Sequence, residues 1–203
     1  MSSSISRSRG RSAFAIFTIV AGAIGWFASF ELLTEYIKTL KEPGYVPNCS
    51  VSVLVTCGPN MDSWQGSVLG FSNTIIGVAA FTIPIVLGVA MLAGAAFPRW
   101  FWNLYQLGLL GGFVLVCWLQ AQSLYDLRTL CPWCMVVWIV MIPLWWISLA
   151  WPFGSGEIAL GERRRKLAAS IASWTWVVIF FNILIVAVLA QIELNWFAEF
   201  TRG

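Results

Sequence analysis

Four of the five cysteines in this chain of 203 residues fall into two pairs. Cys49 and Cys57 lie in a polar loop after the first apolar stretch. Cys131 and Cys134 form a Cys-Pro-Trp-Cys motif that opens a later stretch. A dithiol passes two electrons by thiol–disulfide exchange, and exchange between two pairs needs only that one loop reach across the surface. The arrangement reads as a relay, in which the loop pair meets a soluble partner and the motif pair meets a lipid-soluble acceptor. A Cys-x-x-Cys at a helix N-terminus sets its first thiol beside unpaired backbone amides, which favour the thiolate. Pro132 suits the first helical turn, where a missing amide hydrogen costs nothing. Cys134 then sits one turn deeper near Trp133, Met135 and Trp138, a setting suited to an apolar acceptor such as a quinone.

Histidine is absent, which removes imidazole bases, Cys-His dyads and histidine-bound metals and leaves thiols as the leading reactive groups. Two other readings compete for the cysteines. Four thiolates can bind zinc tetrahedrally, although a Cys49-x7-Cys57 spacing fits such a site poorly. Cys49 and Cys57 alone could form a purely structural disulfide. Cys117 stands between Val116 and Trp118 without a partner in sequence and reads as a small buried hydrophobe.

The elements that must hold these thiols are membrane helices. The chain is 59% hydrophobic and 10% charged, against roughly a quarter charged in soluble domains. Five stretches approach the about 20 apolar residues needed to cross a bilayer: 13–37, 68–97, 102–122, 130–152 and 167–192. The expectation is an all-α, polytopic membrane protein without a soluble domain. Its net charge of +3 comes from basic residues between spans and is no nucleic-acid signature. The basic start suggests a signal peptide, but the first run is long and lacks a small-x-small cleavage site, so it is expected to stay as a span.

Lys and Arg placement sets the orientation. Arg7, Arg9, Arg11, Arg99 and the run Arg163–Lys166 fall on one side, expected to be cytoplasmic. Lys38, Lys41, Arg128 and Arg202 fall on the other, diluted by Glu35, Glu42, Asp62, Asp126, Glu193 and Glu199. Both cysteine pairs lie on that second side, where disulfides persist if it is extracytoplasmic. In the loop, Val51, Val53, Leu54 and Val55 are apolar enough to lie on the membrane surface and cap the bundle, and Asp62 to Gln65 suggests a short interfacial helix. Asp126, just before the motif, could assist proton uptake, but it reads first as an ordinary solvated loop carboxylate. No internal repeat supports a transporter, and Glu31 is the only charged candidate within the spans.

The order of motifs resembles the vitamin K epoxide reductase family, its bacterial members above all. The resemblance rests on Pro47-Asn48-Cys49, Cys57-Gly58, Gly70-Phe71-Ser72-Asn73 with Gly77, and Leu124-Tyr125 ahead of Cys131-Pro132-Trp133-Cys134. The DsbB family does similar work, but there the Cys-x-x-Cys comes first. The resemblance implies a four-helix transmembrane bundle around a quinone site plus a fifth transmembrane helix. It divides the chain into a cytoplasmic tail at 1–12 and a catalytic bundle at 13–152 with an outer loop at 38–67. A cytoplasmic linker at 153–166 and a fifth helix with a short outer tail at 167–203 follow. By position, Cys49 and Cys57 become the shuttle pair, and Cys131 and Cys134 the quinone-proximal pair. Cys57 exchanges with Cys131, and Cys134 reduces the quinone.

Asn73 matches a residue that hydrogen-bonds a quinone carbonyl; packing between helices is its plainer role. Trp138 stands where animal members often carry tyrosine and becomes the second candidate quinone contact. The implied activity is a quinone-dependent thiol–disulfide oxidoreductase of the inner membrane, acting as a monomer with menaquinone or ubiquinone. Its implied partner is a separate thioredoxin-fold, DsbA-like protein. A non-catalytic membrane adaptor with a disulfide-stapled loop is the alternative.

Overall fold

Glycine, proline and serine set where the long apolar runs start and stop as helices. The structure, a computed structural model, describes residues 2–155 and 173–198. Helix α1 (Ser2–Lys41) takes in the residues expected as a tail, because nothing before Pro43 breaks it. Gly70, at φ +82°, and the Ser72 side chain, which accepts from the Thr74 amide, delay the second span to α3 (Asn73–Leu92). Gly94, at φ +91°, ends that helix. Helix α4 (Arg99–Ala121) starts after Pro98 and widens into a π-helical turn at Gln122–Asp126. The motif pair heads α5 (Pro132–Ser155), and the fifth span is α6 (Thr175–Leu194).

The loop after α1 carries a short α2 (Gly58–Asp62) and a 3-10 turn at Trp64–Ser67. The helix expected at 62–65 is thus split. Pro59 starts α2 directly after Cys57, and Ser63 caps the turn that follows. In this loop Val51 and Val53 are exposed, whereas Leu54 and Val55 are part-buried and Val55 bridges to Leu130. The expected linker at 153–166 lies almost wholly outside the described residues.

Among the described residues, five helices are long and apolar enough to cross a membrane, at Gly10–Lys41, Asn73–Leu92, Arg99–Asp126, Pro132–Pro152 and Thr175–Leu194. Among the described residues there is no strand, only a single parallel bridge between Val55 and Leu130. Helix α1 packs against α3 and α5, α4 packs against α5, and α6 leans on α5 and the π-helical turn. The α1–α3 contact is close because glycines face it. A Cβ on Gly88 would lie 2.5 Å from the Ala15 carbonyl oxygen, and one on Gly22 would lie 2.7 Å from Ile85. Gly88→Val is therefore expected to cost about 1–3 kcal/mol, in line with other overpacked cores. Thermal unfolding in detergent should show the loss, and an unchanged melting temperature would disprove this contact.

Candidate active site

Backbone hydrogen bonds tie the two reactive segments together just before each of their key cysteines. The Thr56 amide donates to the Leu130 carbonyl at 3.0 Å, and the Leu130 amide donates to the Leu54 carbonyl at 2.8 Å. Side chains reinforce the clasp. Asn60 Nδ2 donates to Thr129 Oγ1 at 2.9 Å, and Ser123 Oγ donates to the Thr129 carbonyl at 2.5 Å. Residues 74 positions apart are thereby fixed side by side.

Cys49 and Cys57 form a disulfide, while Cys131 and Cys134 are free thiols. Cys131 Sγ lies 3.3 Å from Cys57 Sγ, inside the near-attack range of about 3–3.5 Å. Cys57 and Cys131 are 0% exposed and Cys49 is 7% exposed, so Cys49 is the more accessible end of a buried bridge. The Cys134 amide donates to Cys131 Sγ at 3.4 Å. The neighbouring Cys134 thiol, helped by the amides of Cys134 and Trp133, holds the Cys131 thiol below its ordinary range against the opposing pull of burial. A thiol held low in this way leaves readily as a thiolate when a disulfide that contains it is attacked. Cys117 is half-buried on α4 rather than buried, and it is a free thiol away from both pairs.

Cys134 also lines a cavity of about 420 Å³ that runs into the bundle. Asn73 and Cys134 mark one end; Pro84 and Leu144 line it further in. Ten residues along α5 correspond to about 15 Å at the helical rise of roughly 1.5 Å per residue. Such a volume lies within the roughly 300–1,000 Å³ of small-ligand sites. The walls are almost entirely apolar, with Trp138 among them. No hydrogen bond within the described residues holds the Trp138 indole.

Asn73 is not glue between helices. Its Nδ2 donates to the Gln65 carbonyl at 2.6 Å, and its Oδ1 accepts from the Val68 amide at 3.2 Å. An amide nitrogen carries two hydrogens, so one N–H remains for a ligand in the cavity. A flat apolar ring with a carbonyl oxygen fits this lining, with the Cys134 sulfur and the Asn73 donor at the same end.

Two residues that matter to this geometry were not legible as such. Glu35 counted in the sequence only as a charge, yet it is 3% exposed and holds the loop. It accepts from Lys38 Nζ at 2.7 Å, Tyr45 OH at 2.9 Å, the Asn48 amide at 2.8 Å and Asn48 Nδ2 at 3.5 Å. Its signal was a carboxylate inside an apolar helix with lysine three residues on. Gln65 is the other. It is buried, accepts from Asn73 through its carbonyl, and donates from Nε2 to Asp126 Oδ2 at 2.5 Å and to Gln122 Oε1 at 3.3 Å. Asp126, exposed and expected to be merely solvated, thus braces the segment that orients Asn73.

Five crossing helices with two cysteine pairs meeting at one end define a multi-pass membrane redox protein. The chain belongs to the vitamin K epoxide reductase family, whose model matches residues 16–149, and the family makes it a thiol–disulfide oxidoreductase or reductase. That match runs from α1 almost to the end of α5 and leaves out α6. Comparisons with curated proteins and with solved structures returned no match.

Proposed function

We propose that this chain oxidises a separate thioredoxin-fold, DsbA-like dithiol protein and passes the electrons to a membrane quinone, menaquinone or ubiquinone. The observation that carries this reading is the 3.3 Å contact between Cys131 and Cys57, made beside a cavity that Cys134 lines. The order of steps follows from which sulfur is reachable. A donor thiolate attacks Cys49, the Cys49–Cys57 bond breaks, and the electron pair leaves on Cys57. The donor's second thiol then displaces Cys49. Cys57 attacks Cys131 of the oxidised motif pair, and Cys134 leaves as a thiolate facing the cavity. Cys49 finally attacks Cys57, which restores the outer bridge and frees Cys131.

Bound quinone supplies a sink for two electrons and two protons, which returns the inner pair to its disulfide. The spare N–H of Asn73 is suited to stabilise charge that develops on a ring oxygen. The setting is the inner membrane with the N-terminus cytoplasmic. Arg11 and Arg99 sit at the end of the bundle away from the cysteines, and the side richer in Lys and Arg faces the cytoplasm. Arg11 also donates to the Ala95 carbonyl and so joins the two basic segments at that end.

Purified full-length protein given a dithiol and a quinone should form one quinol per dithiol oxidised. Cys117→Ser should keep that rate within about twofold, as expected of a side chain outside the reacting network. No quinol, together with a Cys49–Cys57 bridge that resists the donor, would instead identify a stapled adaptor.

A further inference from the structure

We propose that Glu35 is the positioning residue for Cys49, holding it where it can resolve the Cys57–Cys131 bridge. The inference rests on exchange between the two pairs as set out above. Once the donor has left, Cys49 is a free thiol on a loop, and its next task is to attack Cys57. In that step the Cys49–Cys57 bond forms and the Cys57–Cys131 bond breaks. The electron pair leaves on Cys131 as a thiolate, Cys49 gives up its proton, and no net oxidation occurs.

Nothing covalent then keeps Cys49 beside Cys57. Downstream, Ser50 Oγ meets Thr56 Oγ1 at 2.8 Å, and the Val51 amide donates to the Val55 carbonyl at 2.8 Å. Upstream, among the described residues, every hydrogen bond from Tyr45 or Asn48 to another element ends on Glu35. Asn48 is the peptide neighbour of Cys49, and Glu35 takes both its amide and its side chain. Lys38 sets its ammonium against the same carboxylate at 2.7 Å. A buried carboxylate on a long helix, with all its contacts except Lys38 made by one loop, is a fixed post for that loop. Glutamine at this site keeps the shape but turns an N–H toward donors that need an acceptor.

The test uses an equilibrium that requires no quinone. Fully reduced full-length protein is equilibrated with a glutathione buffer poised to form about one disulfide per molecule, since exchange settles by relative stability. Free thiols are then alkylated and the bridges mapped by peptide mass spectrometry. In wild type the Cys49–Cys57 bridge should predominate over Cys57–Cys131. Glu35→Gln should raise the ratio of Cys57–Cys131 to Cys49–Cys57 by about tenfold, the scale expected from losing a charge-assisted bond. Glu35→Asp should return part of the way to wild type. Tyr45→Phe, which removes a single donor, should shift the ratio the same way by more than about twofold, and it decides the matter if Glu35→Gln fails to fold.

A general loss of stability would not redistribute bridges in favour of Cys57–Cys131, so the ratio separates positioning from simple support. Ratios within twofold of wild type in both variants overturn the proposal. So does a matching rise in the Cys131–Cys134 bridge, which would mean that the whole outer loop has detached. Failure of quinone reduction alongside the predicted shift would count against the acceptor and leave the role of Glu35 standing.

Discussion

Cys131→Ser should abolish quinone-dependent thiol oxidation, with a fall on the order of 10³-fold or more, the scale seen when a reacting nucleophile is removed. Its sulfur contacts Cys57 at 3.3 Å and receives the Cys134 amide at 3.4 Å, so it belongs to both exchanges. A serine oxygen at the same place forms no disulfide with either neighbour. Cys134→Ser should be equally inactive toward the acceptor but should differ in its sulfur chemistry. There Cys131 has lost its motif partner, and Cys57 is the sulfur within reach. Because Cys49 resolves a Cys57–Cys131 bridge, the bridge is trapped by adding Cys49→Ala: oxidised Cys49→Ala/Cys134→Ser should contain Cys57–Cys131, which alkylation and peptide mapping will show. The serine variant at 131 should hold only Cys49–Cys57. If that double variant formed no Cys57–Cys131 bridge, the 3.3 Å contact would be packing rather than a reaction path, and the relay would fail with it.

The chemistry of the site was legible in its cysteines because thiol pairs are rare and their placement beside apolar runs constrains what they meet. The runs themselves were equally plain, since a membrane span is a composition before it is a structure. Ends of helices were less so. The second span was expected from residue 68 but begins at Asn73, because Gly70 adopts a left-handed turn and Ser72 caps the helix. The third was expected to stop at Gln122, yet its last turn widens and carries Ser123 under Thr129. What stayed hidden were polar partnerships across long stretches of chain. Glu35 and Gln65 look like ordinary charged and polar residues until the loop folds back on them, because a hydrogen bond between distant segments leaves no periodic trace. Asn73 shows the same limit: its type suggested a ligand contact or a contact between helices, whereas two of its bonds go to the preceding loop. Helix α6 packs on α5 and the π-helical turn and leaves most of its apolar surface exposed.

The outer pair should prove unequal when each member is replaced by alanine. Cys49 is the reachable sulfur and Cys57 is sealed against Cys131, so the two losses leave different remnants. In Cys49→Ala the surviving Cys57 still attacks Cys131, but no thiol remains to resolve the bridge. The protein stalls as Cys57–Cys131 and should be inactive with both a protein donor and a small dithiol. In Cys57→Ala no such dead end exists, and the motif pair can still cycle between disulfide and dithiol. Removing the Cys57 sulfur also uncovers Cys131, which is otherwise wholly buried. A small dithiol should then drive quinone reduction in Cys57→Ala at a rate at least about tenfold above that of Cys49→Ala, a gap of about 1.4 kcal/mol in barrier. The protein donor should fail with both variants, since its docking sulfur is gone in one and the onward link in the other. Quinol formation followed by absorbance, with each donor in turn, gives the comparison. Equal rates with the small dithiol would mean that Cys49 does not resolve the inner bridge, and the proposed order of sulfur attack would have to be reversed.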